Sequence, residues 1–394
     1  MKKRFVGIVL ILTVIVGSLS SCLLIDGGAF QIPSSDGGGG GTTINVQGGP
    51  NYDIDISSSS STNMLAASKA LLSSVSITTS TSAGSGVIYK LEKEKGNAYI
   101  ITNYHVVYDN GSINSEIYAY LYGMEASDYA IPATYVGGSM NYDIAVLKVT
   151  GSTILMESNA AAVSVADSDD VAILDTAIAI GNPEGQGISA TVGCINVDSE
   201  NISVGFQIYN KVQRITLRVM RTDAAVNSGN SGGGLFNAKG ELIGIVNAKD
   251  ADSSTDNIGY AIPSNVAKAI AENILYYCDG QTKQNVYRCM LGVTVGIKDL
   301  YTEYDTETGK IYKKETVMLT EVASNAAISG LLKAGDVINS ITIDGVKHEV
   351  SRTYHIIDTM LYARVGSSVV INVTRDGSVS DITVPIVESM LTEY

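Results

Sequence analysis

The sequence contains a histidine, an aspartate and a serine whose surroundings suit acyl-transfer chemistry. His105 follows a short apolar run that ends at Thr102, Asp143 precedes another apolar run, and Ser231 lies in the glycine-rich stretch Ser228–Gly234. A serine hydroxyl is a weak nucleophile at neutral pH and needs a base within hydrogen-bond distance. Histidine suits that role because its pKa is near neutral, and a buried carboxylate can hold its ring in the required tautomer. We therefore predict Ser231 as nucleophile, His105 as general base and then acid, and Asp143 as orienting carboxylate.

The composition and the order of these residues narrow the chemistry further. The chain has only three histidines, at positions 105, 348 and 355, so few bases are possible. The order His, Asp, Ser is that of chymotrypsin-like serine proteases, whereas subtilisins and α/β-hydrolases use other orders. Glycines beside Ser231 permit a tight turn. Within Gly229, Asn230 and Ser231, the amides of the first and third residues are the predicted oxyanion hole.

Several motifs resemble those of the HtrA/Deg family of extracytoplasmic serine proteases. They are Thr102–Val107, Asp143–Val149, Ile180–Pro183 with Gly187, Thr222–Asn227 and Gly259–Pro263. The resemblance runs from about residue 82 to the C-terminus. Two positions depart from it, because the family usually has proline at Ser228 and at Gly234. Since proline presets φ, both changes predict a looser active-site loop but remove no catalytic group.

The pattern of apolar runs predicts a mainly β structure for residues 63–280. Strand-like runs are Ser85–Tyr89, Ala98–Thr102, Ile144–Val149, Ala177–Ile180 and Leu242–Val246. Many short strands indicate a sandwich or a barrel. The resemblance selects the double six-stranded β-barrel of chymotrypsin-like proteases, with the cleft between the barrels. A helix that is capped by Ser264, with Val266, Ile270 and Ile274 at helical spacing, is expected to close this domain.

The resemblance also implies where substrate binds. Ala225 is six residues before the nucleophile, the position at the base of the pocket for the side chain preceding the cut. Without a buried acid there, an Arg/Lys preference is not expected, and small or aliphatic residues are favoured. Exposed strands of substrates are expected to pair along the cleft edge. The substrate-binding residues predicted in this way are Ala225, Val226, Asn227, Gly244, Ile245, Val246 and Asn247.

Asn230 bears on activation. Secreted digestive relatives have aspartate at this position, and that aspartate pairs with the N-terminus freed by zymogen cleavage. Because asparagine cannot form that ion pair, a reversible loop rearrangement is the expected switch rather than propeptide removal.

The C-terminal part, residues 286–390, resembles a smaller α+β PDZ domain. The landmarks are Leu291–Val295, Lys333–Ile338 and Val373–Gly377, with helices expected over Ser324–Leu332 and Ser351–Arg364. A PDZ domain adds a peptide as an extra strand and holds its terminal carboxylate on backbone amides. The residues expected to do so are Cys289, Met290, Leu291, Gly292 and Val293. The alternative is a module that serves only as an assembly surface.

The N-terminus predicts export and anchoring. Residues 1–21 combine the basic Lys2–Arg4 with the apolar Phe5–Val16, as in a signal peptide. Leu19–Cys22 resembles a bacterial lipobox, which implies lipidation of Cys22, and residues 22–62 form a Gly/Ser-rich tether. The alternative is an uncleaved membrane anchor over Phe5–Ile25. Both interpretations place the chain outside the cytoplasmic membrane.

Composition excludes several classes of partner. The formal charge is −14, and it becomes −17 if a leader with three basic and no acidic residues is removed. Such a protein is expected to be repelled by nucleic acid and by anionic lipid. The sequence has neither metal-ligand spacing nor a phosphate-binding loop, so we expect no cofactor and no metal. Beyond Cys22 the three cysteines are an odd number, which argues against a disulfide framework. A bridge between Cys278 and Cys289 is the alternative.

Together these features predict an ATP-independent serine endopeptidase for unfolded or misfolded proteins and peptides. The resemblance adds a homo-oligomer, specifically a trimer. Two alternatives are a regulatory protease for one membrane partner and a peptide-binding holdase with an idle triad.

Overall fold

The computed structural model describes residues 62–209, 211–247 and 258–394. The predicted signal peptide, Cys22 and the tether up to residue 61 lie outside the described residues. Within those residues no helix is long and apolar enough to cross a membrane.

The first part of the described chain is a closed barrel. Its elements are α1 (Thr62–Leu71), β1 (Ser74–Thr79), β2 (Ala83–Glu92), β3 (Asn97–Thr102), α2 (Tyr104–Val107), β4 (Tyr108–Asp109), β5 (Ser112–Ile113), β6 (Ile117–Leu121), β7 (Ile131–Ser139) and β8 (Ile144–Val149). Six strands close in the order β1-β2-β3-β8-β7-β6, and β4 pairs with β5 in a separate small hairpin. Strand β6 alternates buried and more exposed residues, as expected for a strand with one face in a core.

A second barrel follows. After α3 (Thr153–Glu157), whose Leu155 is buried in the core of the first barrel, come β9 (Thr176–Gly181), β10 (Ser189–Ile208), β11 (Lys211–Thr222), β12 (Gly234–Phe236), β13 (Leu242–Asn247), β14 (Gly259–Pro263) and α4 (Ser264–Tyr277). The strands close in the order β10-β11-β14-β13-β12-β9. All five strand-like runs identified in the sequence lie inside these strands. The mainly β fold with two six-stranded barrels is confirmed.

Helix α4 joins the apolar cores of the two barrels. Its Val266, Ile270 and Ile274 are buried in one cluster with side chains from both barrels, such as Val146 and Ile245. The helical spacing is therefore confirmed, but the predicted cap is wrong. Pro263 is the N-cap residue, and the Ser264 hydroxyl instead donates to Ala166 O at 2.8 Å.

The C-terminal part forms a further sheet with its own core. Its elements are β15 (Tyr287–Cys289), β16 (Val293–Tyr304), β17 (Ile311–Val322), β18 (Val337–Ile343), β19 (Val346–Glu349), α5 (Thr353–Met360), β20 (Ser368–Arg375), β21 (Ser378–Pro385) and β22 (Leu391–Glu393). The main path is β16-β17-β18-β20-β21, β19 pairs with β18, and β15 pairs with β22.

The two helices expected in this part have different outcomes. Residues 324–332 form turns rather than a helix, because Gly330 has φ +91° and Ser329 bridges to Leu332. The second helix is present as α5 but is shorter than expected. In the turn between β20 and β21, Asp376 and Gly377 have φ of +49° and +79°, as a two-residue type I′ turn requires.

Ion pairs connect the C-terminal sheet to the second barrel. Arg218 of β11 pairs with Asp358 of α5, and the Arg218 guanidinium carbon lies 3.9 Å from the centre of the Tyr354 ring. Arg352 Nη1 lies 2.9 Å from Asp198 Oδ2. Ion pairs therefore form one part of this contact, and apolar residues such as Leu361 form another.

One buried carboxylate supports the C-terminal sheet. The Asp336 side chain is 1% exposed, and its two oxygens lie 2.6 Å and 2.7 Å from Nε and Nη2 of Arg375. We expect Asp336→Asn to lower the free energy of unfolding by about 2–3 kcal/mol, because it removes one partner of a charged, bidentate pair. Urea denaturation measures this. Asp376→Asn, in the exposed turn, is the matched control and should change stability by less than about 0.5 kcal/mol. Equal stability of both variants would contradict the prediction.

Candidate active site

Adjacent strands bring the predicted base and carboxylate together. His105 lies in α2, just after β3, and Asp143 immediately precedes β8, which pairs with β3. His105 Nδ1 lies 2.7 Å from Asp143 Oδ2, and the His105 amide donates to Asp143 Oδ1 at 3.0 Å. Asn103 Nδ2 also donates to the Asp143 carbonyl oxygen at 2.8 Å. The wholly buried carboxylate thus holds the imidazole by its Nδ1 edge, which leaves Nε2 for proton transfer.

The second barrel also contacts this carboxylate. Asn247, at the end of β13, donates from Nδ2 to Asp143 Oδ2 at 2.9 Å and is 1% exposed. Asp143 therefore receives hydrogen bonds from both barrels. Sequence reasoning assigned Asn247 to substrate binding and missed this contact, which joins residues far apart in the chain.

Gly244–Asn247 was expected at a free edge of the cleft but lies between other strands. Strand β13 pairs with β14 along Gly244–Asn247 and with β12 at Gly244 and Ile245. The Val246 amide donates to Gly233 O at 2.8 Å, and Val246 O accepts from the Gly232 amide at 2.9 Å. These residues therefore do not offer the free strand edge that the sequence analysis expects, because neighbouring backbone occupies both sides.

The nucleophile loop lies against the first barrel. The Ser85 amide of β2 donates to Ser231 O at 2.8 Å. Gly84 is so close that a Cβ there would lie 2.7 Å from Val106, the residue after His105, and 3.1 Å from Ser231 O. Gly84 thus lies between Val106, the neighbour of His105, and the backbone of Ser231, which is 6% exposed.

Two residues of the predicted oxyanion hole, Gly229 and Asn230, differ in what their amides do. The Asn230 amide donates to Asn227 O at 3.0 Å and is turned into the loop. The Gly229 amide donates to no acceptor among the described residues, and φ at Gly229 is +95°. A Cβ there would lie 2.2 Å from Asn182 O, so only glycine fits. The geometry supports Gly229, rather than Asn230, as a donor beside Ser231.

The two departures from the family pattern are accommodated locally. A Cβ at Gly234 would lie 2.3 Å from the Phe236 ring, so this glycine makes space for an aromatic side chain. Ser228 is exposed, but its carbonyl accepts from the Glu184 amide at 2.9 Å. The loop therefore has defined packing or hydrogen bonding at both positions.

The predicted specificity residues lie at the start of the same loop. Ala225 is exposed, and its carbonyl accepts from Thr191 Oγ1 at 2.9 Å. Val226 is half-buried, and its side chain lies so close to Gly259 that a Cβ at that glycine would be 2.7 Å away. Asn227 is exposed. The nearby Asp223 accepts from the Cys194 amide, and this hydrogen bond lowers the pKa of the carboxyl. This exposed carboxylate is therefore anchored to the backbone of β10.

The long β10–β11 hairpin supplies a wall that sequence reasoning missed. Phe206 of β10 is fully buried, and its ring centre lies 6.5 Å from that of His105 and 6.4 Å from that of Tyr104. Burial raises the pKa of Tyr104 to about 12, so its hydroxyl remains neutral beside the catalytic residues. No motif marks Phe206, although the alternation of apolar residues in β10 indicates a buried face.

The loop expected to bind a peptide carboxylate begins in β15. Met290 N donates to Met390 O at 2.7 Å, so this amide is occupied. The amides of Leu291 and Gly292 donate to no acceptor among the described residues, and Val293 opens β16. Cys289 is buried, and neither it nor Cys278 is in a disulfide. Across residues 62–209, 211–247 and 258–394 there is no group of acidic, histidine and cysteine side chains that could hold a metal.

Comparison with known proteins agrees with this geometry. The trypsin-like peptidase domain family matches residues 84–245. The serine protease Do-like HtrA of Bacillus subtilis is 33% identical over 308 residues, covering 76% of this chain and 62% of that protein. The Lactococcus lactis subsp. cremoris protein of the same description is 32% identical over 319 residues, covering 76% of this chain and 72% of that protein.

A solved structure shares the architecture. The HtrA-type protease AlgW with tripeptide is 27% identical, has a TM-score of 0.52, and covers 84% of this chain and 97% of that one. The chain spans less than two thirds of the Bacillus relative but most of the Lactococcus and AlgW chains. It belongs to the HtrA family of serine proteases.

Proposed function

We propose that this chain is a serine endopeptidase that cleaves unfolded or misfolded proteins outside the cytoplasmic membrane, without ATP. The observation that carries the proposal is the His105 imidazole held on the buried carboxylate of Asp143, 2.7 Å away, next to the loop of Ser231. Family membership supports the same chemistry.

The reaction follows from the placement of these groups. Ser231 Oγ attacks the scissile carbonyl while His105 Nε2 takes the hydroxyl proton, and Asp143 stabilises the resulting imidazolium. The oxyanion accepts hydrogen bonds from the amides of Gly229 and Ser231. His105 then donates its proton to the leaving amine, and water hydrolyses the acyl-enzyme by the reverse sequence of proton transfers.

Substrate preference rests on the start of the nucleophile loop. The half-buried Val226 and the lack of an acid at Ala225 favour small or aliphatic side chains before the cut. The relative whose solved structure contains a tripeptide supports peptides as the substrate class. Exposed strands of unfolded proteins are the form in which such peptides would reach the cleft.

The C-terminal sheet is proposed to act as a PDZ domain that binds peptide ends. Strand β16 is the edge of its sheet, and a cavity of about 850 Å³ lies beside it. Val295 and Ile297 of β16 and Ile357 of α5 line this cavity, which suits an added strand with apolar side chains. The amides of Leu291 and Gly292 are the candidate donors to a terminal carboxylate.

The cellular setting of the proposal rests on the sequence. A lipid on Cys22 and the Gly/Ser-rich tether would hold the protease at the outer face of the cytoplasmic membrane. Assembly into a trimer is part of the proposal by family resemblance. The regulatory protease and the idle holdase are the alternatives, and substrate range separates them. Cleavage of denatured casein favours quality control, cleavage of one membrane protein favours regulation, and binding without cleavage favours the holdase.

Substitutions in the triad test the chemistry directly. We expect Ser231→Ala to abolish labelling by a fluorophosphonate probe and to reduce casein cleavage by at least about 10³-fold. Asp143→Asn should lose about 10⁴-fold in kcat, because it favours the wrong tautomer of His105. His348→Ala is the control that changes a histidine outside the site. Full labelling of Ser231→Ala would exclude Ser231 as the nucleophile.

Asn247 should matter for the chemical step rather than for substrate binding. We expect Asn247→Ala to lower kcat by roughly 10- to 100-fold with little change in KM, because a hydrogen bond to a charged carboxylate contributes about 1.5–3 kcal/mol. Steady-state kinetics on a peptide substrate separate the two constants. Asn265→Ala, which removes a hydrogen bond to the exposed Asp167, is the control. A rise in KM without a fall in kcat would contradict this prediction and would support a role of Asn247 in substrate binding.

The peptide groove can be tested with substitutions on the two opposite edges of the C-terminal sheet. We expect Ile297→Asp on β16 to weaken binding of a fluorescent peptide with a free apolar C-terminus by about tenfold, because it replaces an apolar side chain of the groove with a carboxylate. Fluorescence anisotropy measures the Kd. Val379→Asp, on the other edge strand β21 and similarly exposed, is the matched control. Unchanged affinity in Ile297→Asp, or equal affinity for the C-terminally amidated peptide, would argue for an assembly surface instead.

A further inference from the structure

A single serine hydroxyl lies where the first barrel meets the nucleophile loop. Ser85 of β2 is 1% exposed. Its Oγ donates to Gly229 O at 2.7 Å and accepts from the Asn182 amide at 2.8 Å. The hydroxyl therefore uses both its donor and its acceptor capacity on residues of the second barrel.

The backbone of Ser85 is fixed as firmly as its side chain. Its amide donates to Ser231 O at 2.8 Å, and its carbonyl accepts from Thr102 Oγ1 at 2.7 Å. One residue thus contacts the carbonyls of both Gly229 and Ser231, the two residues whose amides form the proposed oxyanion hole. Its own position is held from β3, the strand that leads to His105.

Through its contact with Asn182, Ser85 also acts on the peptide unit that joins Ser228 to Gly229. Asn182 begins a short segment in which the Glu184 amide donates to Ser228 O at 2.9 Å. The amide of Gly229 belongs to the same peptide unit as that carbonyl, so Glu184 sets the direction in which the Gly229 N–H points. Ser85 holds the loop directly and also holds the segment that orients it.

We propose that Ser85 is a positioning residue for catalysis, whose hydroxyl holds the Gly229 amide in the direction needed to bind the oxyanion. The proposal rests on the proposed function. Ser85 touches neither substrate nor reacting atoms, and it acts through Gly229 and Asn182.

The physical reason is the strict geometry of oxyanion stabilisation. Donors must lie about 2.7–3.1 Å from the developing oxyanion, and loss of one donor typically costs 10²- to 10³-fold in kcat. Without the Ser85 hydroxyl, a carbonyl and an amide would be buried without partners, a state that folded proteins avoid. Because φ at Gly229 is +95°, a glycine conformation with no side chain to restrain it, rotation of its peptide units would relieve the unpaired groups.

The test compares two buried hydroxyls of the first barrel in the full-length protein, purified in detergent. Ser85→Ala removes the proposed contact, and Ser74→Ala is the control, because Ser74 is 1% exposed and donates only to Ala70 O at 3.0 Å. We expect Ser85→Ala to lower kcat by roughly 10- to 100-fold, less than complete loss of a donor, with KM within about threefold. The pH midpoint of kcat/KM should stay unchanged, because His105 and Asp143 remain in place. Ser74→Ala should retain the parent kcat.

Several outcomes would overturn the proposal. A Ser85→Ala variant with the kcat of Ser74→Ala, or one that changes KM and the pH midpoint as much as kcat, would leave Ser85 with a structural role only. If Ser85→Ala does not fold, Ser85→Cys keeps a weak donor at the same position. We expect it to fold with a kcat clearly below that of the parent and to label more slowly with a fluorophosphonate. A parent-like rate in Ser85→Cys would contradict the proposal.

A failure of the proposed function can be distinguished from a failure of this inference. If the parent protein neither labels nor cleaves casein, the protease assignment is wrong, and the proposed role of Ser85, which rests on it, is overturned as well. If the parent is active and Ser231→Ala is not, the protease assignment stands, and the Ser85 variants alone decide the role of the hydroxyl.

Discussion

The arrangement of the active site depends on the buried carboxylate of Asp143. It accepts hydrogen bonds from the backbone and the ring of His105 in the first barrel and from Asn247 in the second. A carboxylate without exposure to water is stable as an anion only when such donors surround it. The same bonds that stabilise the charge therefore fix the imidazole and join the two barrels at one point. Orientation of the base and association of the barrels have a common physical cause.

Residue types and local motifs were enough to predict the centre of this arrangement. His105, Asp143 and Ser231 each stand beside an apolar strand, short apolar runs indicated a mainly β fold, and the family resemblance selected the two barrels. Contacts between distant segments could not be predicted in the same way. Asn247 and Ser85 resemble ordinary strand residues, and only the closure of the two barrels places them on Asp143 and Gly229. The prediction for the C-terminal sheet was wrong at one point, because the positive φ of Gly330 favours turns where the PDZ resemblance led us to expect a helix.

The departures from the family pattern also have a physical explanation that the sequence alone conceals. Glycine at position 234 looks like a loss of rigidity when it is compared with proline. In the structure the Phe236 ring occupies the space where a side chain at Gly234 would lie. The ring is fully buried and belongs to the cluster that helix α4 shares with both barrels. Rigidity that a proline would supply through φ is here supplied by packing, which is non-local and leaves no motif.

The β10–β11 hairpin connects the proposed peptide groove with the catalytic histidine through direct contacts. Phe206 packs on His105, and its partner across the ladder is Gln213, which lines the groove beside β16. Tyr142, the residue before Asp143, lines the same groove and accepts a hydrogen bond from Arg288 at 3.2 Å. A peptide in the groove would therefore lie against Tyr142 and against the exposed Gln213. Tyr142 is joined to Asp143 through the chain, whereas Gln213 is joined to His105 through Phe206, by a ladder pair and a ring contact.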